Sequence, residues 1–308
     1  MKRLFLLSAI ALCAACAEKT ETTEESPAVE SKPAVVEESA ADTKTMAQPS
    51  LDDVLAMQDQ DSQARYPHRH PKETLEFFGI TPGMTVVEAL PGGGWYSKIL
   101  LPYLGKEGKL IGVDYDLNMW PNFSFVDEEF LEKRKTWSEK WSGDAGQWYG
   151  DDTETAAISA YTFATLPETM SESVDAALFI RALHNLNRFE SKGEFLTNAL
   201  KEMSRVLKPG GIVGVVQHQA PEDKASEWAD GSRGYLKKSY LIEAFKKAGF
   251  SLVSESDINE NAKDQPGEDD IVWRLPPNYS TSREDEEKKA QYTEIGESNR
   301  MTLLFKKS

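Results

Sequence analysis

The sequence predicts an α/β fold built on an open, doubly wound, mostly parallel sheet. Three observations predict it. Apolar runs alternate with segments of helical period from Thr85 to Ser256, the first run leads directly into a glycine turn, and each of the first two runs ends in a carboxylate. Thr85-Val86-Val87 ends in Glu88, followed by Pro91-Gly92-Gly93-Gly94, a helix-like segment from Trp95 to Leu104, and a second run from Lys109 to Val113 that ends in Asp114. In open sheets of this kind ligands bind at the carboxyl ends of the strands, where a glycine turn lets the backbone approach closely. A carboxylate about twenty residues beyond the glycines is placed to accept hydrogen bonds from a ribose diol. The pattern therefore points to a ligand that contains a nucleoside, either a dinucleotide or S-adenosylmethionine.

The chain of 308 residues is long enough for one large α/β domain with appendages. Residues 1–16 stand apart from it. Met1-Lys2-Arg3 is a positive start, Leu4 to Leu12 an apolar core, and Cys13-Ala14-Ala15-Cys16 a small-residue end, which together read as an export signal of the lipoprotein type. The expected product is a periplasmic protein anchored in the membrane through a lipid on Cys16. Residues 17–50 are Glu, Ala, Thr, Ser and Pro with few large apolar side chains, a composition that cannot bury enough surface to order itself, so they read as an acidic tether. The folded domain is expected over 51–308. Both cysteines fall in the first segment, which excludes disulfides, a thiol nucleophile and a Cys-ligated metal from the domain. The net charge of −16 argues against nucleic acid as a partner, because phosphate binding needs a basic face.

In chain order, Leu51, Val54, Leu55 and Met57 have roughly helical spacing. Arg65-Tyr66-Pro67-His68-Arg69-His70-Pro71 clusters cations with aromatic rings, Lys72 to Phe78 reads as a helix closed by Gly79, and Thr81-Pro82-Gly83 turns into the first strand. Trp120 to Tyr149 is rich in aromatic residues; its middle, Asp127 to Lys140, is helix-compatible, and the Gly- and Asp-rich remainder reads as a surface loop. Strands are expected at Ala157 to Phe163 and at Ser173 to Ile180, the latter apolar on both faces after Asp175. One helix is expected from Phe189 to Leu207, stopped by Lys208-Pro209-Gly210-Gly211, then a strand at Ile212 to Val216, a helix from Tyr235 to Ala248 and a strand near Leu252 to Ser256. The alternation gives five parallel strands with crossover helices, and the chain then ends in a strand pair, with strand-like runs at Ile271-Val272-Trp273 and Met301 to Phe305.

This order, with GITPGMTVVEALPGGGWYS, GVDYD, LHNL, LKPGG, KKAGF and a closing RMTLLFKK, resembles the Rossmann-like class I S-adenosylmethionine-dependent methyltransferases over about Arg65 to Ser308. RHP, PGGGWY and IGESNRMTL resemble, more narrowly, a group of exported bacterial predicted methyltransferases. The resemblance implies S-adenosylmethionine as cofactor and an antiparallel last strand inserted next to the sheet's end. It implies that Glu88, Gly92, Gly93 and Gly94 lie against the methionine and ribose parts, that Asp114 holds the ribose hydroxyls, and that Thr162 and Phe163 line the adenine. Leu90 stands where the family has its first glycine. For a dinucleotide, the third glycine of the fingerprint would fall on Ser97, a poor replacement in tight helix–strand packing.

Methyl transfer is an in-line displacement that draws mainly on proximity, with a base needed when the acceptor carries a proton. His184, just past the fourth strand, is the candidate catalytic base, with a packed corner histidine as the structural alternative. His218, after the fifth strand, borders the same crevice. The Arg65 to His70 cluster is suited to gripping a carboxylate of the cofactor or of an anionic acceptor. No third ligand accompanies the two histidines of that cluster, so no metal is expected. The expected activity is methyl transfer to a small molecule; a non-catalytic nucleoside-binding protein and an NAD-type oxidoreductase are the alternatives.

Overall fold

The computed structural model describes residues 48–308. The expected signal segment, and the expected tether up to residue 47, lie outside the described residues. The sheet has the order β3-β2-β1-β4-β5-β8-β7, with β6 beside the end of β5. Its strands are β1 (Thr85–Ala89), β2 (Lys109–Asp114), β3 (Ala157–Thr162), β4 (Val174–Ile180), β5 (Leu207–Ala220), β6 (Leu236–Lys237), β7 (Phe250–Ser256) and β8 (Arg300–Lys307). The pairs β3–β2, β2–β1, β1–β4 and β4–β5 are parallel, and β8 runs antiparallel to both β5 and β7. The mostly parallel sheet with an antiparallel last strand is the class I methyltransferase arrangement that the sequence predicts.

The helices are α1 (Leu51–Ala56), α2 (Gln60–Gln63), α3 (Tyr66–Arg69), α4 (Pro71–Phe77), α5 (Ser97–Leu104), α6 (Glu128–Lys135), α7 (Trp137–Ala145), α8 (Leu183–Arg188), α9 (Glu190–Gly193), α10 (Phe195–Val206), α11 (Lys238–Lys247) and α12 (Glu286–Ile295). Alternation along the strands divides the core in two, as a period of two requires. Val87, Ala89, Ile111 and Val113 face a layer that contains α8, α10 and α11, whereas Val86, Leu110, Ala176 and Leu178 face α1, α4 and α5. Burial on both faces explains why these strands read as continuous apolar runs. Among the described helices none is long and apolar enough to cross a membrane.

Four local expectations are corrected. Ile271-Val272-Trp273 is not a strand: Val272–Arg274 is a single 3-10 turn, because both edges of β8 are already taken by β5 and β7. The expected helix from Phe189 breaks at Glu194, whose φ is +53°, and the Glu190 carboxylate caps the new start by accepting from the Leu196 N–H at 2.7 Å. The helix expected from Tyr235 begins only at Lys238, since Leu236 and Lys237 pair with Gln219 and Ala220 of β5. The supposed loop after Lys140 is still helical to Ala145, and Trp141 is buried against the sheet.

β1 is flanked by β2 on one side and β4 on the other, so the chain leaves the sheet's centre in both directions from it. Such a switch point opens a crevice at the carboxyl ends of the strands.

Candidate functional site

The crevice is a cleft of about 460 Å³, within the range of small-molecule sites. Its floor is the turn Leu90-Pro91-Gly92-Gly93 after β1, with Trp95 and Lys98 beyond it. One wall is Arg181 and His184 at the end of β4, another His218 at the end of β5, and Trp273 to Asn278 form a strap across it.

The turn shows what the missing glycine does. Leu90 adopts φ +57°, the left-handed conformation in which glycine costs nothing and a leucine costs about 1 kcal/mol. Its N–H donates to the Val113 carbonyl at 2.7 Å, so strand pairing holds the strained residue in place. A Cβ on Gly93 would meet nothing within 4 Å, and one on Gly92 only the Leu90 carbonyl oxygen at 3.9 Å, which leaves the backbone open to a ligand. Gly94 has φ +80° and a side chain there would collide with the Trp148 ring at 2.2 Å, so it serves the packing of the turn.

Glu88 lies below this turn and does not line the cleft. It is 4% exposed, its Oε2 accepts from the Ser97 hydroxyl at 2.5 Å, and burial pushes its carboxyl up to about 7. Asp114 and Thr162 are register partners at the ends of β2 and β3, and the Phe163 N–H donates to the Asp114 carbonyl at 3.0 Å. The structure thus brings Asp114, Thr162 and Phe163 together, but outside the 460 Å³ cleft. Asp114 is buried, which raises its carboxyl to about 6 against the opposing effect of Arg134. The Arg134 Nη1 donates to it at 3.0 Å, with the guanidinium 4.1 Å over the Trp120 ring. The aromatic stretch therefore divides: Trp120, Phe123 and Phe130 form a second cleft beside Asp114's partner Arg134, while Trp141 and Trp148 pack beneath the sheet and turn.

The two histidines meet. The rings of His184 and His218 are 5.6 Å apart, the first buried and the second half-buried, and desolvation lowers both, His184 to about 4. They are neutral imidazoles at neutral pH. Gln217 separates their roles: its Oε1 accepts from the Leu183 N–H at 3.2 Å and its Nε2 donates to the Gly234 carbonyl at 3.0 Å. That orientation turns the same amide N–H₂ towards His184 Nδ1, a long contact at 3.5 Å, which favours the tautomer with the proton on Nε2. His218 Nδ1 lies 2.6 Å from the Ser298 hydroxyl, an arrangement that can leave its Nε2 with a lone pair. The Gly231 backbone packs so closely behind His184 that a Cβ would stand 2.0 Å from the His184 carbonyl oxygen.

The expectation that the Arg65 to His70 cluster grips a ligand's carboxylate is corrected for Arg65 and Arg69. Both are bonded to Glu297, with Arg69 Nε at 3.0 Å. Arg300 joins them at 3.1 Å and Arg181 at 3.8 Å. The two short motifs at the start and end of the domain are thus one buried ion cluster. Sequence reasoning missed Arg181, Glu297, Ser298 and Gln217 as site residues; the closeness of RHP and IGES in the fold was the signal, and it is invisible along the chain. No cluster of three or more His, Cys, Asp or Glu suited to a metal occurs among the described residues.

Residues 87–215, from β1 into β5, match the family described as "Methyltransferase domain". The chain is similar to the ribosomal RNA small subunit methyltransferase H of Flavobacterium psychrophilum, 44% identical over 59 residues, which is 19% of this chain and 20% of that protein. It is similar to the sterol 24-C-methyltransferase of Schizosaccharomyces pombe, 34% identical over 87 residues, 24% of this chain and 22% of that one. The chain therefore spans about a fifth of the length of these curated relatives. A solved structure, the 1,6-didemethyltoxoflavin-N1-methyltransferase of Burkholderia thailandensis with bound 1,6-didemethyltoxoflavin and S-adenosylhomocysteine, shares 13% identity over 80% of each chain with a TM-score of 0.42.

Proposed function

Since the chain carries a class I S-adenosylmethionine-dependent methyltransferase domain, we propose that it methylates a small-molecule acceptor held in the cleft between the glycine turn and the two histidines. The observation that carries this reading is the convergence, at the sheet's switch point, of an open glycine backbone with two neutral imidazoles. The residues present fit the cofactor: Gly92 and Gly93 leave room for close approach, and Asp114, buried on Arg134 at the end of β2 next to the cleft's glycine turn in sheet order, would be the carboxylate for the ribose hydroxyls. Thr162 and Phe163, next to Asp114, would line the adenine, and Glu88 would support the turn from below.

Bound S-adenosylmethionine supplies an electrophilic methyl group on a sulfonium. The chain's own residues hold the acceptor in line and exclude water, with the Trp273 strap as the cover. Of the two histidines we assign the base to His218, whose Nε2 can take the proton that the acceptor gives up, and a donor role to the Nε2–H of His184. Desolvation and the neighbouring arginines keep the His218 ring uncharged, so it is free to accept the proton, though as a weaker base than a solvated imidazole. We propose further that residues 1–16 are an export signal of the lipoprotein type, so that the enzyme would work outside the cytoplasm on a lipid anchored at Cys16.

Calorimetric titration of the protein with S-adenosylmethionine and S-adenosylhomocysteine tests the reading. Micromolar binding that falls at least about tenfold in Asp114→Ala is expected, since buried charge-assisted hydrogen bonds are lost. No heat with either ligand in the folded protein would refute it.

A further inference from the structure

The four arginines around Glu297 carry more charge than it can neutralise. Arg65, Arg69, Arg181 and Arg300 all lie within 4.0 Å of this one carboxylate, and none has another carboxylate partner among the described residues. Four positive charges against one negative leave a surplus of three beside a cavity. Buried charge is costly unless paired, so such a surplus is tolerated best where an anion completes it.

The geometry shows where the anion would sit. Arg69 and Arg300 are buried, and they do not line the cleft; neither does Arg65. Arg181 does, its side chain is 26% exposed, and at 3.8 Å it is the most loosely held of the four. Its backbone is at φ +60°, an uncommon state for a residue other than glycine, held by its N–H donating to the Val216 carbonyl at 2.6 Å. Strain of this kind concentrates where a side chain must be aimed. The ring of Trp95 lines the same cleft, and its indole N–H is buried with no partner. His184 beside it on the same wall as Arg181 and His218 on the next are uncharged and repel no anion.

We propose that the methyl acceptor is itself an anion, a small carboxylate, which docks its carboxylate on Arg181 and turns its nucleophilic O–H or N–H towards His218. The proposal rests on the methyltransferase reading above and adds the class of acceptor. The nucleophile bonds to the methyl carbon as the carbon–sulfur bond breaks, with that electron pair left on sulfur and the acceptor's proton on His218 Nε2. The carboxylate docked on Arg181 takes no part in bond making. Planarity suits the guanidinium, which binds a carboxylate through two parallel N–H donors.

The cofactor's own carboxylate is the competing occupant, and the experiment separates the two. The full chain is saturated with S-adenosylhomocysteine and titrated calorimetrically with benzoate and with benzamide, its uncharged isostere. Benzoate is expected to bind at least about tenfold more tightly, the preference worth one charge-assisted pair. Arg181→Gln should remove that preference, Arg181→Lys should restore part of it, and both should keep S-adenosylhomocysteine affinity within about threefold of wild type, which also shows that they fold. Equal binding of the two probes, binding of neither, or a benzoate preference that survives Arg181→Gln overturns the proposal while leaving the cofactor site intact. So does a loss of S-adenosylhomocysteine affinity in Arg181→Gln with methylthioadenosine, which lacks the amino-acid carboxylate, bound as before. Failure of the wild type to bind S-adenosylhomocysteine overturns the methyltransferase reading and the acceptor class with it.

Discussion

Replacing Glu88 by Gln should make the domain less sensitive to alkaline pH. The Glu88 carboxylate lies under the glycine turn with one hydrogen bond, from Ser97, and no cation beside it. Burial raises it from 4.5 to about 7, partly offset by the Ser97 hydroxyl. A raised folded-state value means that the group stabilises the fold fully below 4.5 and that this stability is lost as pH rises through about 7. Two and a half pH units at 1.36 kcal/mol each give about 3.4 kcal/mol in all, of which about 2.5 kcal/mol falls between pH 5 and pH 8.5. Glutamine keeps an acceptor for Ser97 and does not titrate. In urea unfolding of wild type and Glu88→Gln at pH 5 and at 8.5, the variant should gain about 2.5 kcal/mol on the wild type between the two. Taking the difference cancels Asp114, which is also raised, and the histidines, which are lowered. If the two proteins run parallel within about 0.5 kcal/mol across that range, Glu88 is not held in the uncharged form and its place under the turn is misread.

Glu297→Gln should cost about 3 kcal/mol or more in urea unfolding, because it leaves buried Arg69 and Arg300 without a counter-charge; a cost under about 1 kcal/mol would mean that the cluster is solvated like a surface pair. His184 should show no titration of its ring resonances by NMR between pH 5.5 and 8, since burial lowers it to about 4. A midpoint near 6.5 would place it in water instead of in the cleft wall. The sign for stability is the reverse of that for Glu88: the contribution of a lowered histidine is present above 6.5 and lost as pH falls through about 4.

What could be read in the sequence was what is local. β1, β2, β4 and the core of β5 are apolar on both faces, and their order with the glycine turn fixes a parallel sheet and its switch point. Asp114 and Thr162 are neighbours through sheet register, with Phe163 next along the chain; their role as cofactor residues comes from the family resemblance, not from the strand pattern. Ile271 to Trp273 read as a strand because β-branched and aromatic residues favour strands wherever an edge is free, and no sequence pattern says that β8 has no free edge. Leu90 looked like a departure from the glycine pattern, yet it takes up the conformation a glycine would have. The pattern reports a backbone requirement, and residue type is only its usual solution.

The arginines carry the wider point. Charge along the chain is acidic overall, and by that measure the cation cluster from Arg65 to His70 is a minor feature. Folding places Arg65 and Arg69 against Glu297, more than 220 positions away, and adds Arg181 and Arg300. The local sign of the field in the cleft is then opposite to the sign of the protein. A low-dielectric cleft magnifies such a local field, while the acidic exterior is screened by salt within about 10 Å. The net charge of −16 therefore bears on what the outer surface repels and says little about what the cleft attracts. An anionic acceptor is consistent with both, provided it is small enough to leave the outer field behind on entry. Acceptors that spread many negative charges along a backbone would have to keep most of them against the acidic exterior, which is why the cleft points to a small carboxylate.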